Sequence, residues 1–358
     1  MLPFALVLAV GALGWLYIVC RILNRLSTVA RTVVKLSLSG CIVVSLWPVL
    51  YAGLLWTFSL YARGWFTYNW RAFAQNHPAA AAACAVGGLY LTGETVRRLV
   101  RTSRRRRALR RFNVRTAIRT APVNLTLLPH APVHRALFAA ASAIPGNSLD
   151  SLRVMCASLT FPGRRMPPSP FRIVHISDLH FSGYLPDSYF ATIVAQANAL
   201  EPDIIVLTGD FSGGTRPLPR LVRVIRELRA ARGIYFVLGN HDIWHAEGLI
   251  APLLEDLGFV HLADRIIPLH CDGTTLYLAG TERPYHTEPG FDDRLNAIPP
   301  DALSIVLSHH PDNFFRLKTC GVSFVLSGHT HGGQNRLPLL GPPLVPSGAG
   351  TMHAEGFV

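Results

Sequence analysis

The chain has 358 residues, half of them apolar, and a formal net charge of +13. Residues 1–165 hold 21 Lys and Arg against two acids, Glu94 and Asp150, whereas residues 166–358 hold 13 against 19. The basic excess is therefore a property of the front half, and it excludes reading the whole chain as a basic nucleic-acid binder. Six cysteines (Cys20, Cys41, Cys84, Cys156, Cys271 and Cys320) show neither a CxxC pair nor framework spacing. They read as free thiols that behave as small hydrophobes, with weak support for a reducing compartment.

Residues 2–20 are apolar and uncharged, long enough to cross about 30 Å of hydrocarbon. With no charge before Arg21, a transmembrane span is favoured over a cleaved signal peptide, which needs a basic start. Residues 36–62 form a second apolar run, with Trp47, Tyr51, Trp56 and Tyr61 as interfacial aromatics. Residues 79–92 are a weaker, alanine-rich third. Arg21, Arg25, Arg31 and Lys35 follow the first run, and residues 97–119 hold 11 arginines. Placing both basic segments in the cytoplasm requires three spans, an outside amino terminus and a cytoplasmic catalytic domain. The arginine cluster itself has three readings: a topology signal on a solvated face, a dock for anionic lipid head groups, or a nucleic-acid patch. The last is disfavoured by its single aromatic, Phe112. Residues 120–168 are rich in Pro and Ala, with a short amphipathic stretch at 136–144 and a linker at 162–170. The domain expectation is a membrane region over 1–120, a linker over 121–168 and a catalytic domain over 169–358.

In the second half, strand-like apolar runs at 173–176, 204–207, 234–238, 265–269, 274–279, 303–307 and 322–326 alternate with helical spacing at 188–200, 218–231 and 246–257. The alternation argues for an α/β fold with a mixed sheet. Five of the strands end in polar turns: Asp178-Leu179-His180, Gly209-Asp210, Gly239-Asn240-His241-Asp242, Ser308-His309-His310-Pro311 and Gly328-His329-Thr330-His331. Strand ends converge in a sheet protein, so these turns can meet. Their oxygen and imidazole groups suit divalent ions of the Mn, Fe, Zn or Co type. Two such ions about 3.5–4 Å apart clamp a displacement at phosphorus. Asp178 and His180, two apart on an extended strand end, point the same way. His175 is expected to pack inside its strand, and His245, His261, His270 and His353 to be surface or core residues without a site role.

The ordered segments HISDLHFSG (175–183), LTGDFSGG (207–214), LGNHD (238–242), LSHHPD (307–312) and LSGHTHGGQNRLP (326–338) resemble the calcineurin-like metallophosphoesterase superfamily, and the last is most similar to its membrane-associated bacterial branch. The resemblance covers residues 170–350. It implies a metallophosphoesterase β-sandwich flanked by helices, here preceded by an α-helical transmembrane region, and two divalent metal ions as cofactors. It implies that Asp178, His180 and His331 hold one ion, that Asn240, His309 and His329 hold the other, and that Asp210 bridges them. His309 aligns with the ligand position rather than its neighbour His310. It further implies that His241 is not a ligand but sits over the phosphate as a catalytic residue, with Asp242 as its orienting partner. The implied activity is hydrolysis of a phosphodiester or pyrophosphate, with a membrane front half that points to a lipid-linked substrate. Glu282 to His286 reads either as a substrate loop or as ordinary surface. A nuclease or nucleotide phosphodiesterase is the alternative, weakened by the acidic second half, and a metal-free scaffold is disfavoured because every ligand position is filled. The family pattern implies more strands beyond the GHTHGGQ segment, so an end at Val358 reads as a C-terminal truncation or a smaller variant.

Overall fold

The computed structural model describes residues 2–26, 74–122 apart from 76 and 113, 151–333 apart from 182–184 and 247, and 336, 341, 342, 345–348, 350–354, 356 and 357. The expected span at 36–62 and the amphipathic stretch at 136–144 lie outside the described residues. The chain divides into two compact units, one of residues 1–108 with 330–358 and one of residues 109–329.

The first unit contains helices α1 (Leu2–Leu26) and α2 (Pro78–Leu109). The helix pair is close enough that a Cβ placed on Gly14 would lie 1.8 Å from the Gly87 carbonyl oxygen. Small residues allow such a close approach between helices. Trp15 Nε1 donates to the Ala83 carbonyl at 2.8 Å, and the Tyr17 hydroxyl to that of Pro342 at 3.4 Å. The weak third apolar run proves to be the first half of α2, which continues without a break through most of the arginine cluster. One helical stretch, Pro78–Phe112, is long and apolar enough by length and composition to cross a bilayer, and Val7–Val19 is a shorter apolar one.

The second unit opens with a hairpin of β1 (Arg115–Pro122) and β2 (Ser151–Ser158), paired from Arg115 with Ser158 to Pro122 with Ser151. The sequence placed β2 in a linker, because its pairing partner lies some thirty residues away and the intervening composition is Pro- and Ala-rich. The expected linker at 162–170 is pinned as well: Arg165 bridges to Ala302, and Arg164 Nη2 donates to the Gly321 carbonyl at 2.8 Å.

Two four-stranded sheets follow. One is all parallel, in the order β3 (Ile173–Ile176), β4 (Ile204–Thr208), β5 (Ile234–Val237) and β6 (Val260–His261). The other runs β10 (Phe324–Leu326), β9 (Leu303–Ser308), β8 (Thr274–Thr281) and β7 (Ile266–Cys271); only β7 is antiparallel, joined to β8 by a two-residue Asp272-Gly273 turn with both φ positive. Alternation along the strands decides what each face covers. Ile204, Val206, Tyr235 and Val237 pack with Leu276, Leu278, Leu303, Ile305 and Leu307 between the sheets. Ile205, Leu207 and Phe236 face the other way, onto α3 (Asp187–Asn198), α4 (Leu218–Ile225), α5 (Asn240–Ala246) and α6 (Ile250–Glu255). Ala279 and Val306 cover the outer face of the mixed sheet with Phe291 and Leu295 of α7 (Phe291–Asn296) and Leu317 of α8 (Phe314–Leu317). The central strands are apolar on both faces because both faces are covered.

Two helices differ from expectation. The run at 218–231 is helical only to Ile225, and the run at 246–257 is two helices separated by Gly248, whose φ of +76° leaves the helical region. α5 also begins earlier than expected, at Asn240, so the turn after β5 passes directly into a helix.

Leu278 is fully buried between the sheets. Leu278→Ala is expected to lower the unfolding free energy by about 2–5 kcal/mol through the cavity it leaves. Urea denaturation followed by tryptophan fluorescence checks this, and an unchanged midpoint would mean that the space between the sheets refills.

Candidate metal centre

Parallel strands end on the same side of their sheet, and the polar turns follow those ends: Asp178 and His180 after β3, Asp210 after β4, Asn240 after β5, His309 after β9 and His329 after β10. The β3–β4 pairing continues past the strands, with Asp178 N–H donating to the Gly209 carbonyl at 3.0 Å, His180 N–H to Asp210 at 2.9 Å and Phe181 N–H to Phe211 at 2.8 Å. Glycines let neighbouring turns touch. A Cβ on Gly239 would lie 2.2 Å from Asp210 Oδ1, and one on Gly328 would lie 1.9 Å from Ser177 Oγ. Asp178, His180, Asp210 and His329 all have left-handed backbone, with φ of 54°, 42°, 56° and 70°. For a side-chain-bearing residue this conformation costs about 1–2 kcal/mol, and such strain collects at functional sites.

Donor atoms of Asp178, His180 and Asp210 lie within 4.8 Å of one another, and so do those of Asp210, His309 and His329. Asp210 belongs to both groups. Its Oδ2 is 3.5 Å from His180 Nε2 and 3.3 Å from His309 Nε2, while its Oδ1 accepts the His241 N–H at 2.8 Å. Burial alone would raise the Asp210 pKa, but the hydrogen bond and charge of His309 and the His241 N–H outweigh it and hold the carboxyl at about 2. His309 Nδ1 lies 2.7 Å from the Thr208 carbonyl, which fixes the proton on Nδ1 and leaves Nε2, 3.1 Å from Asn240 Oδ1, as the donor atom. The Asp178 carboxylate accepts the His329 N–H at 3.0 Å through both oxygens and the Ser177 hydroxyl at 2.6 Å. Two imidazole-and-carboxylate groups sharing one buried carboxylate suit a pair of divalent ions.

The remaining expected residues fall as follows. His241 stands beside the first group, its ring centroid 4.7 Å from that of His180. His310 lies outside both groups, with Nε2 3.3 Å from the Tyr285 hydroxyl. His331 also has left-handed backbone, with φ of 50°, and belongs to the helical unit. His175 joins neither group: it lies within β3, with Nε2 2.7 Å from Oγ1 of the buried Thr208.

Asp242 has a structural part in the site. Its carboxylate is fully buried and turned toward backbone amides: Oδ2 accepts the N–H of Asp210 at 2.7 Å and of Gly239 at 2.9 Å, and Oδ1 those of Phe211 at 2.8 Å and Ser212 at 3.4 Å. It therefore ties the turn after β4 to the turn after β5. Burial pushes the Asp242 carboxyl up to about 7; the amide donors oppose this and the Asp210 charge adds to it.

Glu282 went unrecognised as a support of the site. Nearly fully buried, its Oε1 accepts the Leu238 N–H at 2.7 Å and pairs with His261 Nε2 at 2.6 Å, and the His261 ring stacks on Phe236 at 4.6 Å. The pair braces the end of β5 just before Asn240. The only available signal was a Glu directly after an apolar strand, with no spacing that links it to His261.

A family model for calcineurin-like phosphoesterases matches residues 171–333. The chain is 30% identical over 192 residues to YkuE, an uncharacterized metallophosphoesterase of Bacillus subtilis, a match covering 52% of this chain and 67% of that one. It is 28% identical over 188 residues to the phosphodiesterase YaeI of Escherichia coli, covering 50% of this chain and 67% of the relative. A transmembrane protein with a metallophosphoesterase domain from Bos taurus is 27% identical over 198 residues, covering 48% of this chain and 43% of its own length. The chain belongs to the calcineurin-like phosphoesterases. Its catalytic half is that of a metal-dependent phosphoester hydrolase.

Asp242→Asn places an amide NH2 against backbone N–H donors, and is expected to cost about 1–3 kcal/mol or more of stability and to lower metal content together. Asp210→Asn should lower metal content with a smaller change in Tm. Thermal unfolding and elemental analysis of both variants check the distinction; equal Tm losses would remove the separate role given to Asp242.

Proposed function

We propose that this chain is a membrane-anchored phosphoesterase of the membrane-associated bacterial branch, with two divalent ions of the Mn, Fe, Zn or Co type, that hydrolyses a phosphodiester or pyrophosphate bond. The observation that carries the reading is the shared position of Asp210 in both ligand groups. On this reading Asp178, His180 and Asp210 hold one ion, with His331, two residues beyond His329, as its fourth ligand. Asn240, His309 and His329 hold the other, with Asp210 between the two. Bound ions supply the Lewis acidity that activates water and neutralises phosphoryl charge.

The chain's own residues perform the rest. Thr208 sets the tautomer of His309, and Asp210 remains ionised in a nearly dry setting. His241, tied through its backbone to Asp210 Oδ1, directs its imidazole at the phosphoryl group, where it stabilises developing negative charge or protonates the departing oxygen. Such groups act in place and need no covalent intermediate.

Membrane anchoring is supported by the apolar stretches of α1 and α2 and by the similarity to a protein named as transmembrane. The positive-inside rule supports a multi-pass topology with the catalytic domain in the cytoplasm. The membrane region would cover residues 1–120, a connecting segment 121–168, and the hydrolase 169–358. The apolar front half favours a substrate in or near the bilayer, a lipid-linked phosphoester or pyrophosphate.

Asp210→Asn is expected to abolish hydrolysis of bis-p-nitrophenyl phosphate, and chelation followed by Mn2+ addition to remove and restore it in the unaltered protein. His241→Ala is expected to keep its metal while kcat falls about 100-fold or more; loss of metal in that variant would withdraw the role given to His241. For topology, a green fluorescent protein fused after Val358 is expected to fluoresce and alkaline phosphatase at the same place to be inactive, and the reverse pattern would overturn the cytoplasmic placement.

A further inference from the structure

Beside the ligand groups stands a second set of rings. α5 carries Trp244 and His245 three and four residues after His241, the spacing that puts side chains on one side of a helix. The His241 ring centroid lies 5.7 Å from Trp244 and 5.6 Å from His245. Tyr285, from the loop after β8, meets Trp244 edge to face at 5.8 Å and 86°. Its ring lies 5.4 Å from that of His310, which is itself 3.9 Å from His329. The rings thus make an arc that leaves the centre at His241, passes through Trp244, Tyr285 and His310, and returns to it at His329.

Trp244 is 43% exposed, while Phe181, Phe211, Phe236 and Phe291 are each under 2%. A lone exposed indole is ordinary. This one is half-exposed within an arc of rings that begins at His241 and ends at His329, so it borders the space beside the reactive centre. Resting on phosphoester hydrolysis at this centre, we propose that the arc is a subsite for one of the two groups flanking the scissile bond, and that on this side it takes a planar aromatic group, a nucleobase or an aryl ester, rather than an alkyl chain, so that any lipid chain lies on the other side of the bond. An indole and a phenol offer flat faces for stacking. The exposed His245 imidazole offers a hydrogen bond to a heteroatom in the plane of such a group, and the Tyr285 hydroxyl and His310 Nε2, paired with each other at 3.3 Å, give the arc a polar edge. An alkyl chain would strip water from those polar edges and return no hydrogen bond. A long nucleic acid is not the source of the aromatic group, because residues 166–358 hold 13 Lys and Arg against 19 acids and leave backbone phosphates unneutralised.

The test uses the full chain in detergent with bis-p-nitrophenyl phosphate as the reporter and three phosphonates, methyl, cyclohexyl and phenyl, as competitive inhibitors. The cyclohexyl compound matches the phenyl compound in size and lacks its flat face. The unaltered protein is expected to bind phenylphosphonate about 10-fold more tightly than methylphosphonate, with the cyclohexyl compound well behind the phenyl. Trp244→Ala should collapse the phenyl-to-methyl ratio of inhibition constants to about 2-fold or less, Trp244→Phe should keep most of it, and Trp244→Leu should not. Equal inhibition constants for all three phosphonates in an enzyme that turns over the reporter would overturn the aromatic subsite and leave phosphodiester hydrolysis standing. A Trp244→Leu variant that keeps the full ratio would overturn it too, since apolar contact alone would then suffice. Absence of turnover in the unaltered, metal-loaded protein would overturn both readings together.

Discussion

The Asp210 carboxylate is almost dry, and it is compensated from three separate segments: His180 and His309 approach one oxygen, and the His241 N–H occupies the other. A buried carboxylate is costly unless it is paired and hydrogen-bonded, so this side chain constrains everything around it. The turn after β3 has to deliver His180, the end of β9 has to deliver His309, and the first turn of α5 has to present its amide. Asp242 meets the same cost differently. Four backbone amides from the turns after β4 and β5 converge on it. Asp210 and Asn240 are consequently placed relative to each other by a buried carboxylate that belongs to neither group of candidate ligands. The two acids also show how environment separates like groups: charge and hydrogen bonding from His309 and His241 hold Asp210 down to about 2, while burial carries Asp242 up to about 7.

Left-handed backbone at Asp178, His180, Asp210 and His329 persists only where the surroundings over-determine it. The sandwich provides that restraint. β4, β5 and β9 are buried along their whole described length, with one face of β4 and β5 against the helices and the other against the mixed sheet. The strands behave as fixed posts, and the turns at their ends have little room to relax. Asp and His tolerate this conformation better than bulky or β-branched residues do, so the choice of residue at these positions serves the backbone as well as the metal. The Glu282–His261 pair extends the same restraint to the end of β5.

The strands were legible because two coverings, helices outside and a second sheet inside, force apolar residues onto both faces. β3, β4, β5 and β9 therefore fall within a residue of the apolar runs that marked them. The convergence of the ligand turns was legible for a related reason: parallel strands finish on one side, so a polar triplet after each apolar run already implies a cluster. β2 was not legible, since a strand whose partner is far along the chain and whose composition resembles the surrounding linker carries no local signature. The break at Gly248 was hidden inside continuous amphipathic spacing. The supporting contacts of Asp242 and Glu282 were not legible, because their partners are backbone amides and a distant histidine, which leave no spacing in the sequence.

The charge of the catalytic half conflicts with an anionic substrate only if recruitment depends on a basic groove. The proposed ligand set contains two carboxylates, Asp178 and Asp210, and is otherwise neutral imidazole and amide. Against two divalent ions this leaves a local excess of positive charge confined to the centre, within a domain whose remaining surface is acidic. A field of that shape attracts one phosphoryl group and gives little to the more distant phosphates of a polymer, because exposed charges beyond about 10 Å are screened. Selection then falls to what surrounds that single group, which in this fold is the ring of aromatic and imidazole side chains carried by α5, the loop after β8 and the turn after β9. The same physical division, ions for the phosphate and neutral rings for its substituent, explains how an acidic domain can act on an anion without a basic path leading to it.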